Sequence, residues 1–191
     1  MARIAIVPPD PRWPAEFRAL AGPLQTALGG RALRIDHIGS TAIPDLPAKD
    51  IIDIQVTVAA LDDGLAAALA PLGYTRFGTI AWDHVPPGHT DPPEEWAKQF
   101  YRPPAEQRPT NLHVRQAGRA NQRYALLFRD YLRADPSARE AYAQIKQALA
   151  RLHPDDVDAY YAVKDPVCDL IMRAAERWAV ATGYTPGVPD A

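Results

Sequence analysis

The chain has 191 residues, 47% apolar and 23% charged, with one cysteine and a formal charge of −2. A chain of this size can bury roughly 70% of the surface its unfolded form exposes, so one core forms without disulfide support, and the composition excludes a disordered or fibrous protein. The near-neutral charge gives no general pull toward nucleic acid or anionic membrane, and Cys168 has no partner for an intramolecular disulfide.

At the N-terminus, Met1 to Val7 is too short an apolar run for a secretory leader, and no later stretch approaches 18 apolar residues. The expectation is a cytoplasmic protein with no membrane contact. Twenty prolines punctuate the chain, clustered at Pro8–Pro14, Pro44–Pro47, Pro86–Pro109 and Pro186–Pro189. Between the first two clusters Phe17, Leu20, Leu24, Ala27 and Leu28 recur at helical spacing, which predicts a helix over residues 12–29, closed by Gly29 and Gly30. Residues 34–38 read as a strand.

From Ile51 to Val58 the pattern alternates, with Ile52, Ile54, Val56 and Val58 on one side and Ile51, Asp53, Gln55 and Thr57 on the other. That predicts a strand with a core face and a mostly polar face. An Ala/Leu helix follows over 61–72, stopped by Gly73, and then a strand over 74–77. Helix between strands indicates α/β character. Residues 78–109 show little periodicity and read as a long mobile loop or hairpin, with one strand at 98–102. Thr110 to Arg115 alternates again, placing Asn111, His113 and Arg115 on one side.

The rest is helical. Tyr124, Leu127, Phe128, Tyr131 and Leu132 form one stripe, stopped by Asp135 and Pro136; Ala138, Tyr142, Ile145, Leu149 and Leu152 form a second. A third helix spans about 157–164, and Asp165 with Pro166 reads as the N-cap and first position of a fourth, carrying Ile171, Met172, Ala175 and Trp178. The expected architecture is one α/β (α+β) domain over residues 1–191, with a mixed β-sheet flanked by helices. Its sheet region covers about 1–116, and a C-terminal group of three to four helices covers about 117–185.

The chemistry concentrates between His37 and Val56. Gly39 lacks a Cβ, so a phosphate can approach the backbone there, while Ser40 and Thr41 offer hydroxyl and N–H groups at a strand exit. Twelve residues separate Ser40 from Asp53, an acidic side chain on the polar side of the next strand. A phosphoryl-transfer enzyme holds Mg²⁺ with a carboxylate so placed. Asp53 is either solvated in a cleft or paired with a cation such as Lys49. His37 and His113 share its parity on their own strands, and two histidines with one carboxylate also make a transition-metal set; the alternative is a pair of hydrogen-bonded histidines. His84 and His89, near Asp83 and Asp91, read as solvated loop residues.

The spacing from Gly39-Ser40 to Asp53 resembles the signature of the nucleotidyltransferase superfamily, whose second carboxylate position is occupied here by Gln55. The chain also shows Asp10 to Pro14, His37 to Lys49, Ile52 to Ile54, Asn111 to His113 and Phe128 to Arg133. These segments resemble, over nearly the whole length, the GrpB family. The resemblance implies a nucleotidyltransferase-like fold and relatives fused to dephospho-CoA kinase, where an accessory folding role has been suggested. Carried onto this chain, it makes Ser40 and Asp53 the catalytic pair. Gly39, Ser40, Thr41, Lys49 and Arg129 become phosphate contacts, Asp53 and Gln55 ligands for Mg²⁺, and His37, Asn111 and His113 further cleft residues. Lys146 and Lys164, at the edges of apolar helical stripes, either snorkel to water or point a charge at bound phosphate as cleft residues. Asp45 and Asp50 stand where the family has Gly and Pro, making that loop more acidic. Two functions stay open at this point: nucleotidyl transfer to an unknown acceptor, or a binding or folding-accessory module without turnover.

Overall fold

The computed structural model describes residues 3–191; Met1 and Ala2, part of the segment read above for a leader, lie outside the described residues. Five strands form one mixed sheet in the order β1-β2-β5-β4-β3. They are β1 (Ala32–Ile38), β2 (Ile52–Val58), β3 (Thr75–Arg76), β4 (Lys98–Arg102) and β5 (Thr110–Gln116). Only the β2–β5 pairing is parallel. The helices are α1 (Trp13–Leu28), α2 (Gly64–Leu69), α3 (Ala120–Ala134), α4 (Pro136–Leu152) and α5 (Val157–Thr182). Among the described residues no helix is long and apolar enough to cross a membrane.

One sheet face carries the expected core. Ile52, Ile54, Val56 and Val58 are buried with Ile35, Leu112 and Val114 against Trp13, Phe17 and Leu24 of α1 and Leu65 and Leu69 of α2. The polar face is also covered. Gln55 and Thr57 are as buried as their apolar neighbours, because the C-terminal helices pack over that side. A second core joins α3, α4 and α5 to Ile43 and Leu46 of the β1–β2 connection. The segment that carries the motif is thereby clamped between the sheet and the helices.

Of the expectations for 78–109 and for the last helices, the first holds and the second does not. The 98–102 strand forms, and the hairpin reading of 78–109 holds: β3 pairs with β4, and Trp82 bridges Ala97. The predicted break at Asp165–Pro166 is absent, and the third and fourth helices are the single helix α5, with Pro166 inside it. Its N-cap is Asp156, whose side chain accepts from the Ala159 N–H at 2.9 Å. Proline in a helix interior costs about 3 kcal/mol. Here Tyr160, Cys168, Met172, Ala175 and Ala179 form one buried stripe running through that point; a large apolar side chain such as Met172 returns roughly 1.5–3 kcal/mol and each alanine methyl about 0.8 kcal/mol. Packing therefore outweighs the local signal.

Candidate functional site

The site begins where β1 ends. Gly39 has φ +67° and ψ −170°, a conformation essentially restricted to glycine. A Cβ there would lie 2.8 Å from Asp53 Cγ and closer still to its Oδ2. The glycine is thus required twice, by its backbone and by the carboxylate beneath it. Antiparallel pairing sets Ile38 opposite Asp53, and parallel pairing sets Asp53 beside Asn111. Those two registers bring the hydroxyl-bearing turn and the acidic side chain to one place.

Asp53 accepts a hydrogen bond from Asn111 Nδ2 at 2.8 Å, and its Oδ1 lies 3.9 Å from His113 Nε2. Burial alone would raise its pKa; contacts with His113 and Asn111 outweigh that and hold the carboxyl below its ordinary value. His113 is pulled down to about 4, chiefly by burial and in part by the nearby Arg115 and Lys98 charges. Lys49 does not pair with Asp53: its Nζ sits 4.7 Å from the ring centroids of both Tyr160 and Tyr161 and donates to the Tyr161 hydroxyl at 3.1 Å.

Ser40 meets α4. Lys146 Nζ donates to Ser40 Oγ at 2.9 Å and to the Pro47 carbonyl at 2.6 Å. This lysine is 2% exposed, and burial, followed by repulsion from Lys164, lowers its pKa to about 7. Lys164 follows on α5. Burial opposes its charge, but Tyr142, Cys168 and Asp165 more than reverse the effect and hold it above the ordinary lysine range. Thr41 is used locally, with Oγ1 3.0 Å from His37 Nε2 and donating to the Ile51 carbonyl at 3.3 Å.

Three expectations need correction. His37 does not share a face with Asp53. The register places it opposite Ile54, on the core side, where it stacks on Phe17 at 4.8 Å with its pKa lowered by burial to about 4. The His37–His113–Asp53 trio is therefore split across the sheet, and among the described residues no group of three His, Cys, Asp or Glu could hold a metal. Arg129 turns away from the cleft to Asp130, Asp190 and the His37 carbonyl, along the outer side of β1. Gln55 is fully buried; its Oε1 accepts from Arg115 Nη1 at 2.6 Å and its Nε2 donates to the Gln122 carbonyl at 3.1 Å. Its oxygen is committed to a cation. Magnesium asks for an octahedral set of oxygen ligands, and Asp53 with an Arg-capped Gln55 does not fit a two-metal clamp.

The two acidic departures also lie outside the cleft. Asp45 is exposed with φ +62°, which accounts for glycine in the family pattern. Asp50 accepts from Trp13 Nε1 at 2.9 Å and pairs with Arg108. Residues that sequence reasoning missed complete the site. Asp83 pairs with Lys98 at 2.6 Å and Arg115 at 2.8 Å. Burial alone would raise its carboxyl; those two cations override burial and hold it far below the usual range. Parity with His113 pointed to Arg115, whereas Asp83 read only as a neighbour of the solvated loop histidines. His84 and His89 bond Asp169 and Asp91.

The sheet's polar face, the 39–41 turn and helices α3 to α5 enclose a cavity of about 510 Å³. It is lined by Gly39, Ser40, Thr41, Lys49, Asp53, Asn111, His113, Lys146 and Lys164, together with Tyr124, Phe128, Tyr142, Tyr160 and Tyr161. Five lysine or arginine side chains face it against three carboxylates. The arrangement suits an anion carried on a flat or apolar body.

Known proteins resemble this chain in sequence and in fold. A "Dephospho-CoA kinase" of Mycolicibacterium paratuberculosis is 43% identical over 199 residues, covering 97% of this chain and 49% of its own length. The chain thus spans about half the length of such curated relatives. The crystal structure of conserved protein GrpB from Enterococcus faecalis superposes with a TM-score of 0.74 at 29% identity, covering 91% of this chain and 99% of that one. A chain of the GLD-2/RNP-8 complex shares the fold alone, with a TM-score of 0.54 at 11% identity over 96% of this chain and 56% of its own. The expected mixed α/β, nucleotidyltransferase-like fold is therefore the observed one. A family model described as "GrpB protein" matches residues 3–174, and the chain belongs to the GrpB family.

Proposed function

We propose that this protein binds a phosphate-bearing small molecule of nucleotide size in the cavity, without a two-metal carboxylate clamp. One observation carries the reading: Lys49, Lys146, Lys164 and the Gly39-Ser40 turn converge on a cavity of about 510 Å³, while the oxygen of Gln55 is held by Arg115. That volume falls within the roughly 300–1,000 Å³ of small-molecule sites. Lys49 and Lys164 offset phosphate charge, Ser40 supplies a hydroxyl, and Tyr124 and Phe128, stacked at 6.2 Å, offer an apolar wall for a base. Some relatives are named dephospho-CoA kinase, which agrees with a nucleotide-bearing ligand. A shared ligand or an accessory role beside such an activity belongs to the same proposal.

Titration calorimetry with ATP, CTP, GTP and UTP, in EDTA and in Mg²⁺, tests it. Binding that persists in EDTA and weakens at least about tenfold in Lys164→Ala supports the reading, since a charge-assisted contact contributes about 1.5–3 kcal/mol. No binding of any nucleotide in either condition overturns it. The closeness of Asp53 to the Ser40 turn favours a second reading, nucleotidyl transfer to an unknown acceptor. Label transfer from a nucleoside triphosphate that disappears in both Ser40→Ala and Asp53→Asn would establish that instead.

A further inference from the structure

The turn that opens the cavity also has the parts of a covalent catalyst. Ser40 follows a glycine whose backbone conformation other residues avoid, and it leaves the strand end facing the cavity. Its Oγ lies 2.9 Å from the Nζ of Lys146, a lysine buried to 2% exposure with no carboxylate bonded to it. The Pro47 carbonyl, 2.6 Å from the same nitrogen, takes one N–H and fixes the amine's orientation. In the ammonium form Lys146 donates to Ser40 Oγ; once it loses a proton, with one hydrogen still directed to Pro47, the same contact reverses and the amine's lone pair accepts the Ser40 proton. Serine is a weak nucleophile until such a base removes its proton, and serine–lysine pairs are one known solution.

We propose that Ser40 and Lys146 form a nucleophile and general-base pair that transfers an acyl group from a phosphate-bearing carrier, the carrier being held by Lys49 and Lys164. This rests on the cavity accepting a phosphate-bearing ligand. In the first half, Ser40 Oγ forms a bond to the carbonyl carbon while its proton passes to Lys146 Nζ. The bond from that carbon to the carrier's oxygen or sulfur then breaks, and the Lys146 ammonium returns the proton to the leaving group. In the second half, water attacks the acyl-serine carbonyl while Lys146 takes its proton, the carbon–Oγ bond breaks, that proton returns to Ser40 Oγ, and the acyl group leaves as a carboxylic acid. No oxidant, reductant or metal enters the balance.

Two further observations favour acyl carbon over phosphorus. Attack on a phosphoanhydride calls for a metal clamp on the phosphoryl oxygens, and Gln55 is not available for one. Acyl transfer needs a single base that returns its proton to the leaving group, which one lysine supplies. Burial, Lys164 and Lys49 disfavour charge on Lys146, while Asp53 on β2 and Cys168 on α5 favour it; the balance leaves its pKa at about 7, near a working pH. The Tyr142 ring centroid lies 4.8 Å from the same nitrogen, a cation–π contact that steadies the ammonium form Lys146 takes after it accepts the proton.

The test uses the full chain and a fluorophosphonate, an electrophile that captures base-activated serines, followed by peptide mass spectrometry. The expected result is one adduct on Ser40, lost in Ser40→Ala and formed at least about a hundredfold more slowly in Lys146→Met. Lys146→Arg separates chemistry from structure, because arginine keeps the charge and the donors but cannot act as a base near neutral pH. A structural role predicts that Lys146→Arg retains labelling; the proposal predicts that it does not, while the circular dichroism spectrum stays that of the folded chain. Hydrolysis of acetyl phosphate, an anionic acyl donor, should be faster in the wild type than in Ser40→Ala. No Ser40 adduct, equal labelling of Lys146→Arg, or equal hydrolysis by Ser40→Ala each overturns the proposal. Nucleotide calorimetry on the same samples shows separately whether the cavity binds phosphate.

Discussion

Replacing Gly39 with alanine tests the geometry on which both the binding and the catalytic readings stand. The new Cβ would lie 2.8 Å from Asp53 Cγ and 2.9 Å from Asp53 Cβ, with Oδ2 nearer still, at a backbone φ of +67°. Holding a non-glycine residue in this region costs about 1–3 kcal/mol, and forcing an extra methyl into a packed site about 1–3 kcal/mol more. The sum is about 2–6 kcal/mol, a large part of a domain's typical stability of about 5–15 kcal/mol. Urea unfolding should show a lower midpoint with an unchanged slope. The clash and the strain separate in an Asp53→Gly background, where Cβ and the carboxylate atoms are both gone. There Gly39→Ala should cost about 1–3 kcal/mol less, because contacting residues couple by that amount. Equal cost in both backgrounds, or no cost in either, would refute the close approach of the turn to Asp53.

Lys146 should leave a mark on stability against pH. Its folded pKa of about 7 lies below the ordinary lysine value of 10.5, so the unfolded chain binds more protons between those values. Stability therefore rises with pH across that window, and the difference between wild type and Lys146→Met, from urea melts at pH 6, 8 and 10, should follow that slope. His37 and His113, both lowered to about 4, should show NMR ring shifts that stay those of neutral imidazole down to about pH 5. As the unfolded histidines charge near 6.5, their contribution to stability is lost as pH falls from there toward 4; ring titration near 6.5 in the native state would contradict the burial. Pro166→Ala should stabilise the chain by about 1–3 kcal/mol in urea unfolding, because α5 continues through that position. Destabilisation would mean that the helix needs the proline.

Much of the fold was legible because its signals are local. The stripe of α1 and the alternation of β2 reflect periods of about 3.6 and 2 residues that hold whatever packs against them. The Gly39-Ser40 turn and Asp53 were legible for the same reason, since a short connection joins neighbouring strands. Pro166 misled because its local penalty is real and smaller than the packing of the stripe on either side.

Side-chain partners across the sheet were not legible. Parity places His37 only relative to its own strand; the pairing of Ile38 with Asp53 decides that it enters the core. The residue type at position 55 was plain, but its commitment depends on Arg115, 60 residues away. Asp83, which locks that arginine, came from a loop with no pattern at all. By itself the sequence determined the elements, the glycine turn and the acidic strand, because each is encoded within a few neighbouring residues. Only the tertiary structure decided what those groups face: Lys146 reaches Ser40 across 106 residues of chain, and a contact between distant segments is set by register and helix packing.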